Sequence, residues 1–104
     1  MDKLYEQTLL YDFYGELLTE HQKKIFQEVI FDDCSLGEVA KEHGISRQGV
    51  HDMIKRSSLI LEEYEEKLGL VRKFLDIKEK VNRIKELADD EQVRRLSEEI
   101  LEEL

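Results

Sequence analysis

The stretch SLGEVAKEHGISRQGVHDMIKR, residues 35–56, decides the fold. Ser35 with Glu38 three residues on forms a capping box, in which each side chain satisfies a free backbone N–H at the start of a helix. Val39 and Ala40 point inward from the short helix that follows, and Ala40 is small enough for another helix to cross closely. The triplet HGI then breaks the helix. Gly44 suits the left-handed position after a helix end, and Ile45 returns the chain to the core. Ser46 caps a second helix, whose inner residues Val50 and Ile54 recur at four-residue spacing. A short helix with a small residue at the crossing, a tight glycine turn and a second helix of this spacing are what a helix-turn-helix requires.

Upstream of this motif, Leu4, Tyr5, Leu9, Phe13 and Leu17 recur at helical spacing and predict a helix over roughly residues 2–18. Gly15 inside it costs about 1 kcal/mol relative to alanine, which suggests the close passage of a neighbouring helix. Thr19 and Gln22 form another capping box. It opens a helix with Ile25, Phe26, Val29 and Ile30 on its apolar face, ending near Phe31 before a loop at Asp32 and Asp33.

Downstream, the second helix of the motif continues through Leu61, Tyr64 and Leu68 and stops at Gly69. Lys67 sits near the negative end of its dipole, and Leu70 packs back. Ser57 and Ser58 read as tolerated polar positions on that helix. A fifth helix runs from about Val71 to Ala88, outlined by Phe74, Leu75, Lys78, Val81, Ile84 and Leu87; Lys78 keeps its ammonium group in water. Asp89 or Asp90 caps a sixth, lined by Val93, Leu96, Ile100, Leu101 and Leu104. These last two stripes face each other if the chain turns back at ADDEQ. The expected architecture is all-α: a helix-turn-helix domain over residues 1–68, with a C-terminal helical hairpin over residues 69–104 packing on it.

Composition agrees with that class. The 104 residues include no proline and only five glycines, and 39% are charged. No apolar run approaches the roughly 18 residues of a membrane span, and the start MDKLYEQ lacks a signal-peptide layout, so a cytoplasmic location without membrane insertion is expected. Cys34, the single cysteine, excludes an internal disulfide and reads as a small buried thiol.

The formal net charge of −9 is unevenly spread. Residues 1–34 carry three Lys/Arg against eight Asp/Glu, a net of −5. Residues 62–104 carry nine against fourteen, also −5, while residues 35–61 carry four against three, a net of +1. The motif is the only segment that is not acidic. Phosphate neutralisation supplies most non-specific affinity for nucleic acid, and acidic flanks oppose it.

The region from Thr19 to Arg56 resembles the fourth region of bacterial sigma factors. The longer run LYDFYGELLTEHQKKIFQEVIFDDCSLGEVAKEHGISRQGVHDMIKRS, residues 10–57, together with the acidic helical tail, resembles the YlxM family over essentially the whole chain. That resemblance implies a small cytoplasmic bacterial protein with a sigma-like helix-turn-helix. It also implies an accessory or regulatory part in the signal recognition particle pathway, through contact with the particle's components or its receptor. Asp52 and Met53, in the middle of the second motif helix, depart from the sigma pattern and weaken the promoter-reading part of the analogy.

If duplex DNA is the ligand, Arg47, Gln48, His51, Asp52 and Lys55 face the groove. Arg47 can donate two bonds to guanine, and Gln48 can pair with adenine. Lys41, Lys55 and Arg56 can reach phosphates. His43 and His51 lie across a turn without a third donor at metal-ligand spacing, and read as surface residues. No metal or cofactor is expected. No phosphate-binding loop and no nucleophile–base set stands out, so the chain does not read as an enzyme. The apolar positions of the last helices outnumber what a small monomer easily hides, and a homodimer through them is expected.

Overall fold

Asp2 opens helix α1 (Lys3–Tyr14), its side chain accepting from the Leu4 N–H at 3.4 Å in the computed structural model, which describes residues 2–104. The helix stops well short of residue 18. Gly15–Leu17 tighten into a 3-10 turn, and Leu18 is extended. The Thr19 cap requires an extended entry, so the chain must leave the helix before it. The periodicity over-reads because α1 is apolar nearly all round. Leu9 and Tyr14, with Leu18 beyond the helix, are its buried residues, whereas Phe13 and Leu17 are exposed. At Gly15 the nearest atoms to where a Cβ would stand belong to the Tyr11 ring, 3.1 Å away.

Helix α2 (Glu20–Phe26) starts at the Thr19–Gln22 capping box and runs on into a π-helical turn, Gln27–Phe31. Helix α3 (Leu36–His43) starts at the Ser35–Glu38 box and ends at Gly44, whose φ of 65° and ψ of 33° are left-handed. The Ile45 N–H returns to the Ala40 carbonyl at 3.0 Å. Helix α4 (Arg47–Leu68) begins where the Gly49 N–H donates to Ser46 Oγ at 2.9 Å.

The chain divides into two compact units, one ending at Leu68 and the other running Gly69–Leu104. In the first, Ile25, Val39, Ala40 and Val50 form a buried cluster, with Val29, Cys34, Leu36, Ile45, Met53 and Ile54 packed against it. Cys34 is therefore half-buried rather than enclosed. Aromatic rings make a further layer. Tyr11 stacks on Phe26 with centroids 5.2 Å apart, Phe31 meets both edge-on, and Tyr14 stacks on Tyr64 at 6.0 Å. The Tyr14 hydroxyl donates to Glu65 Oε1 at 2.6 Å. On α4 the inward stripe includes Ser57, which is 1% exposed and so a core residue rather than a tolerated surface one. Leu68, at the end of the unit, is exposed instead of buried.

The second unit is a helix pair, α5 (Leu70–Leu87) and α6 (Glu91–Glu103). Gly69 precedes α5 at a φ of 63°, and the Asp90 side chain accepts from the Gln92 N–H at 2.7 Å to open α6. Lys85 reaches Glu98 across the pair at 3.3 Å, and Lys78 lies over the Phe74 ring at 5.8 Å from its centroid. Val71, Val81 and Ser97 are the buried side chains, and the Ser97 hydroxyl donates to the Val93 carbonyl at 2.8 Å. Ile84, Leu87, Val93, Leu96 and Ile100, expected to face one another, are all exposed, and Ser97 takes the buried position on α6. Among the described residues there is no strand, and no helix is long and apolar enough to cross a membrane.

Candidate nucleic-acid interface

The Gly44 turn and the close contact at Ala40 hold α3 against α4 and leave the first turns of α4 with one face outward. Arg47, Gln48, His51, Asp52 and Lys55 occupy that face, and all are exposed. Arg56 is exposed on the adjoining stripe, and Lys41 is exposed on α3. The structure thus gathers four of the six expected contact residues on one helical surface, with Lys41 on the neighbouring helix and Arg56 to one side.

Their mutual contacts decide what this surface can do. Gln48 Nε2 donates to Asp52 Oδ1 at 2.9 Å, an i,i+4 bond along the face. His51 Nδ1 lies 3.8 Å from the same Asp52 oxygen. The side chain best suited to pair with adenine is therefore engaged by a carboxylate at the centre of the reading face. That carboxylate also repels phosphates, and base pairing by Gln48 would first have to break its bond. Arg47 has room to lie over α3: a methyl group in place of the Gly37 hydrogen would stand 4.0 Å from its Cδ and Nε. His51, Lys55 and Ser58 line a shallow groove of about 440 Å³ against Lys3 and Gln7 of α1.

One constellation was not legible in the sequence. The π-helical turn places Glu28 beside the last turn of α3. His43 Nε2 lies 2.8 Å from Glu28 Oε1 and 3.2 Å from Oε2, with the two side chains only 11% and 13% exposed. Glu42 offers a further carboxylate, and single donor atoms of Glu28, Glu42 and His43 all lie within 4.8 Å of one another. The His21 ring stands 5.4 Å from that of His43, centroid to centroid. His43 is accordingly half-buried rather than a free surface residue, while His51 is exposed as expected. The third donor comes from residue 28, fifteen positions away, so local spacing held no trace of it. Nearby, burial pushes the Cys34 thiol pKa up, and the carboxylates of Glu38, Asp32, Glu28 and Glu42 push it further in the same direction.

A short capped helix, a left-handed glycine turn and an exposed second helix define a helix-turn-helix protein. The chain belongs to the UPF0122 family, whose description is "Putative helix-turn-helix protein, YlxM / p13 like" and whose model matches residues 1–103. It is 53% identical over 90 residues to a UPF0122 protein of Acetivibrio thermocellus, covering 86% of this chain and 74% of that one. It is 49% identical over 88 residues to UPF0122 protein YlxM of Bacillus subtilis, covering 85% and 80%. A UPF0122 protein of Bacillus pumilus is 42% identical and is matched over all of this chain and 94% of its own.

Proposed function

We propose that this protein is a non-enzymatic accessory or regulatory component of the signal recognition particle pathway in the cytoplasm, and that it contacts the particle or its receptor rather than reading promoter DNA. The single observation that carries the choice against DNA is Asp52. It stands at the centre of the reading face, holds Gln48 at 2.9 Å and sits in a chain of net charge −9. The pathway itself is supported by the family resemblance of residues 10–57.

Duplex DNA binding should be weak and lost as salt rises, since the cations about this face, Lys41, Arg47, Lys55 and Arg56 with Lys3 across the groove, are opposed by Asp52 and by a chain of net charge −9. Purified particle RNA, the particle's protein components, its receptor and random duplex fragments are each titrated at low and physiological salt. Saturable binding to a particle component or the receptor at physiological salt, with duplex binding gone, is the expected outcome. Tight, sequence-selective duplex binding that survives physiological salt would reverse the assignment. The protein would then be a transcription regulator, favoured by the exposed Arg47, and Arg47→Ala would relax specificity at one base pair by about 1–3 kcal/mol.

The functional form is a homodimer through α5 and α6. Ile84, Leu87, Val93, Leu96 and Ile100 are 39–70% exposed on this pair, more apolar surface than two helices hide alone. The charge pattern suits a second copy of the same chain. Helix α5 carries six Lys/Arg (Arg72, Lys73, Lys78, Lys80, Arg83, Lys85) against three acids, and α6 carries five Glu against Arg94 and Arg95. A two-fold arrangement sets the basic α5 of each copy beside the acidic α6 of the other. Sedimentation equilibrium at micromolar concentration should return twice the chain mass, and Leu96→Glu should move it toward one. A concentration-independent monomer, or a Leu96→Glu variant still fully dimeric, defeats this arrangement.

A further inference from the structure

We propose that Glu28, Glu42 and His43 form a binding site for one divalent transition-metal ion of the zinc type, between the π-helical turn and the last turn of α3, the first helix of the motif. The site is independent of the nucleic-acid face and of the partner assigned above.

The donor chemistry selects the ion. One imidazole nitrogen with two carboxylates is a set that zinc, cobalt(II) and nickel(II) accept, whereas magnesium and calcium prefer oxygen alone. The geometry needs little adjustment. Zinc holds nitrogen and oxygen donors at about 2.0–2.2 Å, which places neighbouring donors ~3.3 Å apart in a tetrahedron. His43 Nε2 and the Glu28 carboxylate are already at 2.8 and 3.2 Å. All three donors lie within 4.8 Å of one another, and Glu42 is exposed and free to rotate inward. The fourth position falls to water or to His21, which is exposed on α2 with its ring 5.4 Å from that of His43.

Electrostatics call for a cation there. Two carboxylates face one imidazole, and among the described residues the lysine ion pairs go to Glu16, Glu20, Asp76 and Glu98, none to Glu28 or Glu42. Coordination uses the Nε2 lone pair of neutral His43. The hydrogen that Nε2 shares with Glu28 moves to Nδ1 by tautomer exchange, or leaves to solvent if the ring was charged. Nothing is oxidised or reduced. The bound ion would link α3 directly to the segment after α2, so binding should brace the first helix of the motif and raise the melting temperature.

The test uses the full chain without a polyhistidine tag. Zinc is titrated by calorimetry in a non-coordinating buffer, and cobalt(II) is followed by its visible absorption. The expected result is one ion per chain, a cobalt d–d band and a higher melting temperature with zinc but not with magnesium. Glu42→Gln, at an exposed position, should weaken zinc about tenfold or more and leave the helical circular dichroism intact. His43→Gln should abolish the cobalt band. The absence of saturable zinc binding up to millimolar concentration overturns the site. So does a Glu42→Gln variant that binds like the parent, since the ion would then sit elsewhere on the acidic surface.

Discussion

Replacing Phe26 by alanine should cost the unit that ends at Leu68 about 3–5 kcal/mol, enough to unfold it or leave it barely folded. Phe26 is completely buried at the end of α2. Its ring stacks on Tyr11 at 5.2 Å and an interplanar angle of 5°, and Phe31 meets it edge-on at 5.8 Å. Removing the ring deletes the transfer free energy of its apolar surface and both aromatic contacts, and leaves a cavity in the aromatic layer that closes only in part. For a domain of this size, the loss corresponds to a fall in melting temperature of roughly 12 °C or more. Leu4→Ala is the control. Leu4 is apolar too, but 51% exposed, so its truncation should cost well under 1 kcal/mol. Similar losses for the two variants in thermal melts would show that the aromatic layer is not the centre of the unit.

Phe26 also bears on the site. It stands two residues before Glu28, at the entry to the π-helical turn. A collapsed layer would release that turn and remove Glu28 from His43. Loss of zinc binding in a Phe26→Ala variant therefore follows from stability alone, which is why the exposed Glu42 is the better probe of the ion.

The helix-turn-helix was legible because each of its requirements is local. A capping box needs Ser35 and Glu38 three residues apart, and a left-handed cap needs Gly44 directly after the helix; both stand as read. The inner stripe of α4 was legible at Val50 and Leu61 for the same reason. Where reading failed, the deciding contact was distant or the pattern ambiguous. Helix α1 presents apolar residues on nearly every side, so spacing could not tell that Tyr14 turns inward and Phe13 outward. Ser57 and Ser97 are polar by composition yet sit in the core, where a small side chain lets a helix neighbour come near and Ser97 satisfies its hydroxyl on its own backbone at 2.8 Å. The Glu28–His43 contact depends on a π-helical turn, which adds a residue to the helix and shifts every later side chain around the axis. No simple 3.6-residue pattern announces such a turn. On the candidate reading face, the residue identities were legible but their relations were not. The sequence places Gln48 and Asp52 one turn apart, and the structure adds that they are bonded to each other.

Gly44→Val should destabilise the same unit by about 1–3 kcal/mol, and the reason is backbone conformation alone. Gly44 holds a φ of 65° and a ψ of 33°, the left-handed region in which an L residue brings its Cβ against the backbone, and a β-branched one most of all. Beyond the adjoining backbone, nothing lies within 4 Å of where a Cβ would stand, so no clash with a packed neighbour contributes. The geometry cannot relax away, because the Gly44 N–H is held by the Ala40 carbonyl and Ile45 is anchored in the cluster of Ile25, Val39 and Val50. This separates two explanations that a valine substitution alone would confuse. If strain is the cause, Gly44→Asn should cost only a fraction of the valine penalty, since asparagine tolerates left-handed backbone, even though it adds a side chain to the same open space. Gly44→Ala should fall between them. Thermal melts of the three variants give the order directly. Equal losses for asparagine and valine would mean that the turn excludes any side chain at all, and that its tightness comes from packing rather than from the sign of φ.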